Sequence, residues 1–392
     1  MTSGSMVDTL SLEAATTRRW DAVVIGAGPA GTLAARQIAW AGARVLLVDK
    51  KAFPRTKVCG ACLNGQALAV LRSIGLESLI DRLGAVEPEQ LQVTFRHRSA
   101  RFPLPEGRVL SRARLDAALV EAAIAAGADF IQETSAVVER AEGDVRRVRL
   151  TRPDRSALAE ARLVIVAAGI GNTCLDHHAE PLRTRVAVAS RVGLGTVVDE
   201  CPPAYREPRI SMAVARDGYV GIVRDEDGRL NVAAAVAKEM LRRAGSPGEA
   251  AAAILYEAGA MPVPALESSQ WQGTPPLTRQ TRPIAASRLF LLGDATGYVE
   301  PFTGEGMAWA MASGRAIAPL ALRAIGEWEP GLIGEWSRLH GRLVGRRQAI
   351  CRGFAAVLRR PWLSRLVFET ATRAPVMTRG LIQRVNSPPV SL

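Results

Sequence analysis

Lysine is nearly missing from this chain. Of its 50 basic residues only Lys50, Lys51, Lys57 and Lys238 are lysines; the rest are arginines, and the formal net charge is +12. Arginines scattered among many alanines and glycines read as a compositional bias. With aromatics at 5% and no recognised binding module, nucleic acid is excluded as a partner, while an anionic membrane surface stays open. Cysteine is sparse too. Five in a chain this long make no disulfide framework, which points to a reducing cytoplasm. His97, His177, His178 and His340 are scattered and fit no metal pattern, so no metal is expected. No apolar run reaches the roughly 18 residues of a transmembrane helix. Residues 1–17 lack the apolar core of a signal peptide and read as a flexible tail.

What is present is an ordinary globular composition, 48% hydrophobic and 22% charged, in a chain of 392 residues that favours two or three packed units. The strongest local signal lies in residues 20–49. Val23, Val24 and Ile25 form a short β-branched run, as a buried parallel strand should. Gly26, Gly28 and Gly31 follow as G-x-G-x-x-G. They serve a tight turn, a close backbone approach to pyrophosphate, and close helix–strand packing. Residues 32–40 read as a helix ended by Gly42, and its N-terminus offers free N–H groups to phosphate. Residues 45–48 are a second strand. Asp49 closes it, about 20 residues beyond the glycines, where a carboxylate can hold ribose hydroxyls. These elements predict a dinucleotide site but do not choose between FAD and NAD.

Downstream, residues 66–83 have helical periodicity and residues 91–102 alternate like a strand. Ser111 can cap a helix over residues 112–126. Residues 163–169 form another buried strand ending in Gly169. Residues 184–283 are strand-like, with turns at Gly193, Gly195, Gly218 and Gly228. Gly193-Leu-Gly195 lacks a third glycine, so no second dinucleotide site is expected. NAD(P)H then binds transiently, or a reduced carrier protein supplies electrons.

The stretch Phe53-Pro54-Arg55-Thr-Lys57-Val-Cys59-Gly60 resembles the Phe-Pro-Arg-x-Lys-x-Cys-Gly signature of the geranylgeranyl reductase family. That family belongs to the superfamily of p-hydroxybenzoate hydroxylase-type enzymes and flavin halogenases. The resemblance implies that Cys59 and Gly60 lie against an isoalloxazine ring. Cys59 and Cys62 also form C-x-x-C, readable as a redox pair, although the thioredoxin-like version opens a helix in a different context. Arg112-Ala-Arg114-Leu115-Asp116 is similar to the family's Arg-x-x-Leu/Phe-Asp element, in which the arginine helps bind the cofactor; a solvent-facing Arg112 is the other reading. Where related hydroxylases carry Asp-Gly, this chain has Ala168-Gly169. Tyr219 and Asn231 stand in a strand pair similar to the family's Tyr-x-Trp-x-x-Pro … Asn-Val, but without the Trp and Pro.

The run from Gly293-Asp294-Ala through Pro301, Gly304-Glu305-Gly306-Met307 to Ser313-Gly314 closely resembles the family's second cofactor segment. It aims Asp294 at a ribityl hydroxyl and leads into a helix over residues 307–322, whose N-terminus faces the charge of a reduced flavin. With the first motif, this decides for FAD. The expected fold is α/β: a Rossmann-like FAD-binding domain (residues 18–83, 108–183 and 284–327), an inserted β-sheet substrate domain (84–107 and 184–283), and a helical C-terminus (328–392). The implied activity is hydride transfer from flavin N5 to a carbon–carbon double bond of an apolar, isoprenoid- or polyketide-like substrate. Cys59, Tyr219 and Glu305 are the candidates for catalysis. The alternative is a monooxygenase working through a flavin hydroperoxide, but hydroxylases usually place His after Gly-Asp-Ala, and Thr296-Gly297 stands there. A halogenase needs a catalytic lysine, and none lies between Lys57 and Lys238. A non-catalytic flavoprotein is the remaining class. The basic stretch from Arg338 to Arg365 reads either as a surface that docks on anionic lipid or as a solvated helical cap.

Overall fold

A computed structural model describes residues 6–171, 173–175, 182–300, 302 and 304–373. Its first sheet is built on five parallel strands in the order Leu289–Leu291, Arg155–Val166, Arg19–Ile25, Val45–Val48 and Asp129–Ile131. Val23 pairs with Val164 and Leu46, and Ile25 with Val166 and Val48. Side chains alternate across the sheet, so Ala22, Val24, Leu47 and Ile165 enter one core while Val23, Leu46, Val164 and Val166 enter another. Burial on both faces explains why these strands are apolar at every position. The first core is covered by the helix Pro29–Trp40 and by the helices Ala318–Gly326 and Gly331–His340. The second is covered by the strands Ser135–Glu142 and Val145–Arg152 and by an N-terminal helix.

That helix corrects the expected tail. Residues Leu12–Thr16 form a helix capped by Ser11, and Leu12 and Ala15 are buried. The Trp20 indole donates to the Ala15 carbonyl at 2.8 Å, and Thr9 N donates to the Phe130 carbonyl at 2.9 Å. Two large apolar side chains, Leu12 and Trp20, supply the burial that a polar-looking segment did not advertise.

The second sheet runs Gln272–Pro276, Val192–Val198, Leu230–Val236, Gly218–Arg224, Arg209–Val214, Gln90–Phe95 and Arg98–Pro103. One face, with Val220, Ile222 and Ala213, packs on the helices Lys238–Ala244 and Pro247–Ala258. These helices lie in a region expected to be strand. Ser246 caps the second, Pro247 occupies its first turn, and Gly259 ends it in the left-handed region, so the start and stop signals were present. The expected single strand over 91–102 is a hairpin, turned by Arg96 and His97, both at positive φ. The expected helix over 66–83 breaks at Gly75 into Gly65–Ser73 and Glu77–Arg82. That over 307–322 is two helices, Gly306–Ala316 and Ala318–Gly326.

The C-terminal helices Arg346–Leu358 and Pro361–Arg373 return to the second sheet, where the Phe368 ring meets Phe95 with centroids 5.8 Å apart. No helix among the described residues is long and apolar enough to cross a membrane.

Candidate active site

A cavity of about 1610 Å³ runs from the glycine loop of the first sheet to the free face of the second. It exceeds the range of about 300–1,000 Å³ usual for small-ligand pockets, so it has room for a dinucleotide and a second molecule.

Its first end is charged. Gly26, at φ +102°, makes the turn after Arg19–Ile25, and Gly28 is the N-cap of Pro29–Trp40. A Cβ on Gly31 would stand 1.9 Å from the Gly26 carbonyl oxygen, so glycine there is a packing necessity. A Cβ on Gly28 would instead meet Arg55 Nη2 and Arg112 Nη2, each at 3.8 Å. Two guanidiniums therefore converge on a helix N-terminus. Arg112 is buried and gives Asp116 two bonds, at 2.8 and 2.7 Å, which removes the solvent-facing reading of this arginine. Arg55 Nη2 lies 3.3 Å from Asp116 and 3.5 Å from Asp49. Asp49 accepts from Ala27 N at 2.8 Å and Lys51 N at 3.0 Å, and each oxygen keeps further acceptor capacity.

Two buried donors on this wall, Arg55 Nε and Asn64 Nδ2, have no hydrogen-bond partner among the described residues. Unmet donors beside a helix N-terminus and an open glycine fit the phosphates and hydroxyls of FAD.

Asp294 follows Gly293 in a short 3₁₀ turn and lines the cavity. Burial pushes its carboxyl up, against the pull of Lys57 and Arg112. Burial, with Arg112 beside it, draws the Lys57 ammonium down. Lys57 Nζ lies 3.1 Å from where a Gly169 Cβ would sit, so the Ala168-Gly169 strand end gives the lysine its space. Arg55 and Lys57 belong to the Phe-Pro-Arg-x-Lys signature. The pattern is visible in the sequence, but the convergence of its two basic residues on the site is visible only in three dimensions. The turn is braced from behind. Thr296 Oγ1 donates to the Gly293 carbonyl and sits 3.2 Å from His340 Nε2, and the Trp336 indole donates to the Leu291 carbonyl.

Cys59 and Gly60 line the cavity between its two ends, and Arg112 also bonds Cys59. The Asn231 amide donates to the Cys59 carbonyl at 2.9 Å, tying this loop to the second sheet. Both thiols of the C-x-x-C pair are free, and burial pushes Cys62 up to about 12. Gly304, Gly306 and Met307 line the cavity at the start of Gly306–Ala316. Pro301 lies outside the described residues, as do His177 and His178.

Glu305 does not line the cavity. Its buried carboxylate turns outward, 3.5 Å from Arg347 Nη1, and accepts from Cys351 Sγ at 2.9 Å. A charged partner on a C-terminal helix decided the orientation, and sequence spacing could not show it. Tyr219 is on the wall, with its ring edge-to-face with Phe302 at 5.3 Å, and burial pushes its phenol well up.

The second end is apolar. Leu91, Val93, Phe95, Met212, Val214 and Leu277 line it, and Leu366, Val367 and Phe368 close it from the last helix. Among the described residues no cluster of three or more His, Cys, Asp or Glu side chains could hold a metal ion.

A parallel nucleotide-binding sheet, a second sheet facing it and one long cavity between them define an FAD-dependent oxidoreductase of the Rossmann-like type. Residues 19–320 match a family described as an FAD binding domain, and the chain belongs to that family. Menaquinone reductase of Mycobacterium tuberculosis H37Rv is 29% identical over 373 residues, covering 86% of this chain and 85% of that protein. Digeranylgeranylglycerophospholipid reductase 2 of Methanopyrus kandleri is 30% identical over 326 residues, covering 79% and 78%. Among solved structures, the flavin-dependent brominase Bmp2 superposes with a TM-score of 0.77 at 16% identity, over 94% of each chain. The p-nitrophenol 4-monooxygenase PnpA of Pseudomonas putida gives 0.75 at 16%, over 95% of this chain and 100% of that one. At such identities the structural likenesses establish the fold. The resemblance to geranylgeranyl reductases holds.

Proposed function

We propose that this protein reduces a carbon–carbon double bond of an apolar, isoprenoid- or polyketide-like molecule. The observation that carries this reading is the continuity of the cavity: its charged end suits FAD, and its other end offers almost nothing but apolar side chains. The relatives, named as reductases of menaquinone and of digeranylgeranylglycerophospholipid, support the same substrate class. Bound FAD supplies hydride to the substrate carbon.

The chain's residues do the rest. Arg55, Arg112 and the N-terminus of Pro29–Trp40 hold the pyrophosphate, Asp49 the adenosine ribose, and Asp294 the ribityl chain. The N-terminus of Gly306–Ala316 would offer a positive dipole end to the flavin ring system. The apolar end excludes water from the reacting bond. Cys59 and Tyr219 are the candidates for donating the accompanying proton, and Tyr298 lies on the same wall. Electrons arrive from transiently bound NAD(P)H or a reduced carrier, because Gly193 and Gly195 lie inside the paired strand Val192–Val198 rather than in a nucleotide loop.

The test uses FAD-loaded protein reduced with dithionite and mixed, without oxygen, with a detergent-dispersed polyprenyl quinone or a geranylgeranyl-bearing lipid. Return of the oxidised flavin absorbance is expected together with a product that keeps two more hydrogens after any quinone ring is reoxidised, the mark of a saturated side-chain double bond and not of a quinol. If neither probe reoxidises the flavin, and admitting oxygen yields a hydroxylated product instead, the reductase reading is wrong and the oxygenase reading replaces it.

A further inference from the structure

We infer that the last two helices dock on an anionic lipid bilayer and open the apolar end of the cavity toward it. Two observations meet there. Leu366 and Val367 belong to the cavity wall, yet they are 56% and 46% exposed, so the mouth lies at this helix. Trp362, one turn before Leu366, is 66% exposed and extends the apolar strip outside the cavity; Ile350 is exposed on the preceding helix.

The same two helices and the turn before them carry an excess of positive charge: Arg347, Arg359 and Arg365 have carboxylate partners, Glu305, Glu300 and Glu369, and four other arginines do not. Arg342, Arg346, Arg352 and Arg360 are exposed and make no ion pair among the described residues. Some surface arginines elsewhere are paired, as Arg18 is with Asp129, Arg72 with Glu106 and Arg323 with Glu335, and others, such as Arg96, Arg98, Arg183 and Arg185, are not paired among the described residues. What marks this stretch is that its arginines come with no acidic residue among them, since none lies between Gly341 and Leu366. Apolar side chains that include a tryptophan, bordered by uncompensated arginines, have the chemistry of a helix lying in a membrane interface. Each arginine gains from anionic headgroups, and the strip enters the acyl boundary. The mouth then faces the phase in which an apolar molecule is dissolved, and this part of the inference rests on the reading of the cavity given above.

Sedimentation of the full-length, FAD-loaded protein with vesicles tests the inference without any substrate. Vesicles of phosphatidylcholine with phosphatidylglycerol should carry the protein down, and phosphatidylcholine alone should not. The charge-reversed variant Arg346→Glu/Arg352→Glu/Arg360→Glu should bind at least about a hundredfold more weakly, the loss expected of three basic contacts. Trp362→Ser should weaken binding and abolish a vesicle-induced blue shift of tryptophan fluorescence, while both variants keep their FAD. Equal sedimentation with the two vesicle types, or an undiminished charge-reversed variant, overturns the inference. Failure of double-bond reduction in detergent would overturn the substrate reading and leave the vesicle result standing.

Discussion

At one end of the cavity Arg55, Arg112 and Lys57 crowd against Asp49, Asp116 and Asp294; at the other, Leu91, Val93, Phe95, Met212 and Phe368 face one another with no charge among them. The charged end takes Asp49, Arg55, Lys57 and Asp294 from segments that follow strands of the parallel sheet, and Arg112 and Asp116 from the first turns of the helix Arg112–Ala125. The apolar end is assembled from alternate positions of strands far apart in sequence, closed by a helix that comes last. A charged end tolerates little change because each buried ion depends on the next. An apolar end depends on volume and shape, and it can be altered by degrees.

Three measurements would break or sharpen that contrast. The largest effect is expected from Asp116→Ala. Asp116 is fully buried beneath Arg112 and Arg55, and its removal strips Arg112 of its carboxylate and leaves Arg55 only Asp49. A loss of about 3–5 kcal/mol in urea unfolding, with loss of FAD, is expected. Retention of both stability and FAD would mean that the charges at this end do not act as a unit.

The pH dependence comes next. Burial draws His340 from 6.5 down to about 4. The unfolded chain therefore takes up a proton that the folded chain refuses in that window. Stability contributed by the neutral ring is complete above pH 6.5 and is lost as pH falls toward about 4, by up to about 3 kcal/mol. In His340→Asn that slope should flatten; an unchanged slope would put the acid sensitivity elsewhere, and not at Asp294, whose raised carboxyl favours the folded state as pH falls.

The smallest effect belongs to the apolar end. Phe95→Leu removes the ring that meets Phe368 and should weaken binding of the apolar substrate by about 1 kcal/mol, read as a raised KM, with FAD content unchanged. Loss of FAD from this variant would show that the two ends are not separable.

The same contrast explains what could be read from the chain alone. Gly26, Gly28, Gly31, Asp49 and Asp294 were legible because strand, turn and acid stand next to each other in sequence. Arg55 and Lys57 were within a recognised signature, yet only three dimensions show them converging on Gly28 and Gly169. Tyr219 was picked from a strand pattern, and it faces the cavity because its register places it opposite Val220 and Ile222 of the helix-covered face. Glu305 was picked from a motif, and a partner 42 residues later turned it away. The apolar lining was not legible, since no local pattern tells which face of a strand meets a helix and which meets a cavity. The pair of helices over residues 238–258 was obscured by an alanine-rich composition that suits a buried strand as well as a helix.

The loop between Leu291 and Met307 has one further implication. Glu300 is paired with Arg191 at 2.8 Å and Arg359 at 3.5 Å, and Glu305 with Arg347 and Cys351. During synthesis the loop leaves the ribosome well before residues 347–359 do. Until they follow, Glu305 lacks both of these partners and Glu300 has Arg191 alone, so burying Glu305 is costly at that stage. A fragment ending before Arg347 carries Glu305 without the Arg347 and Cys351 side chains that meet it in the complete fold.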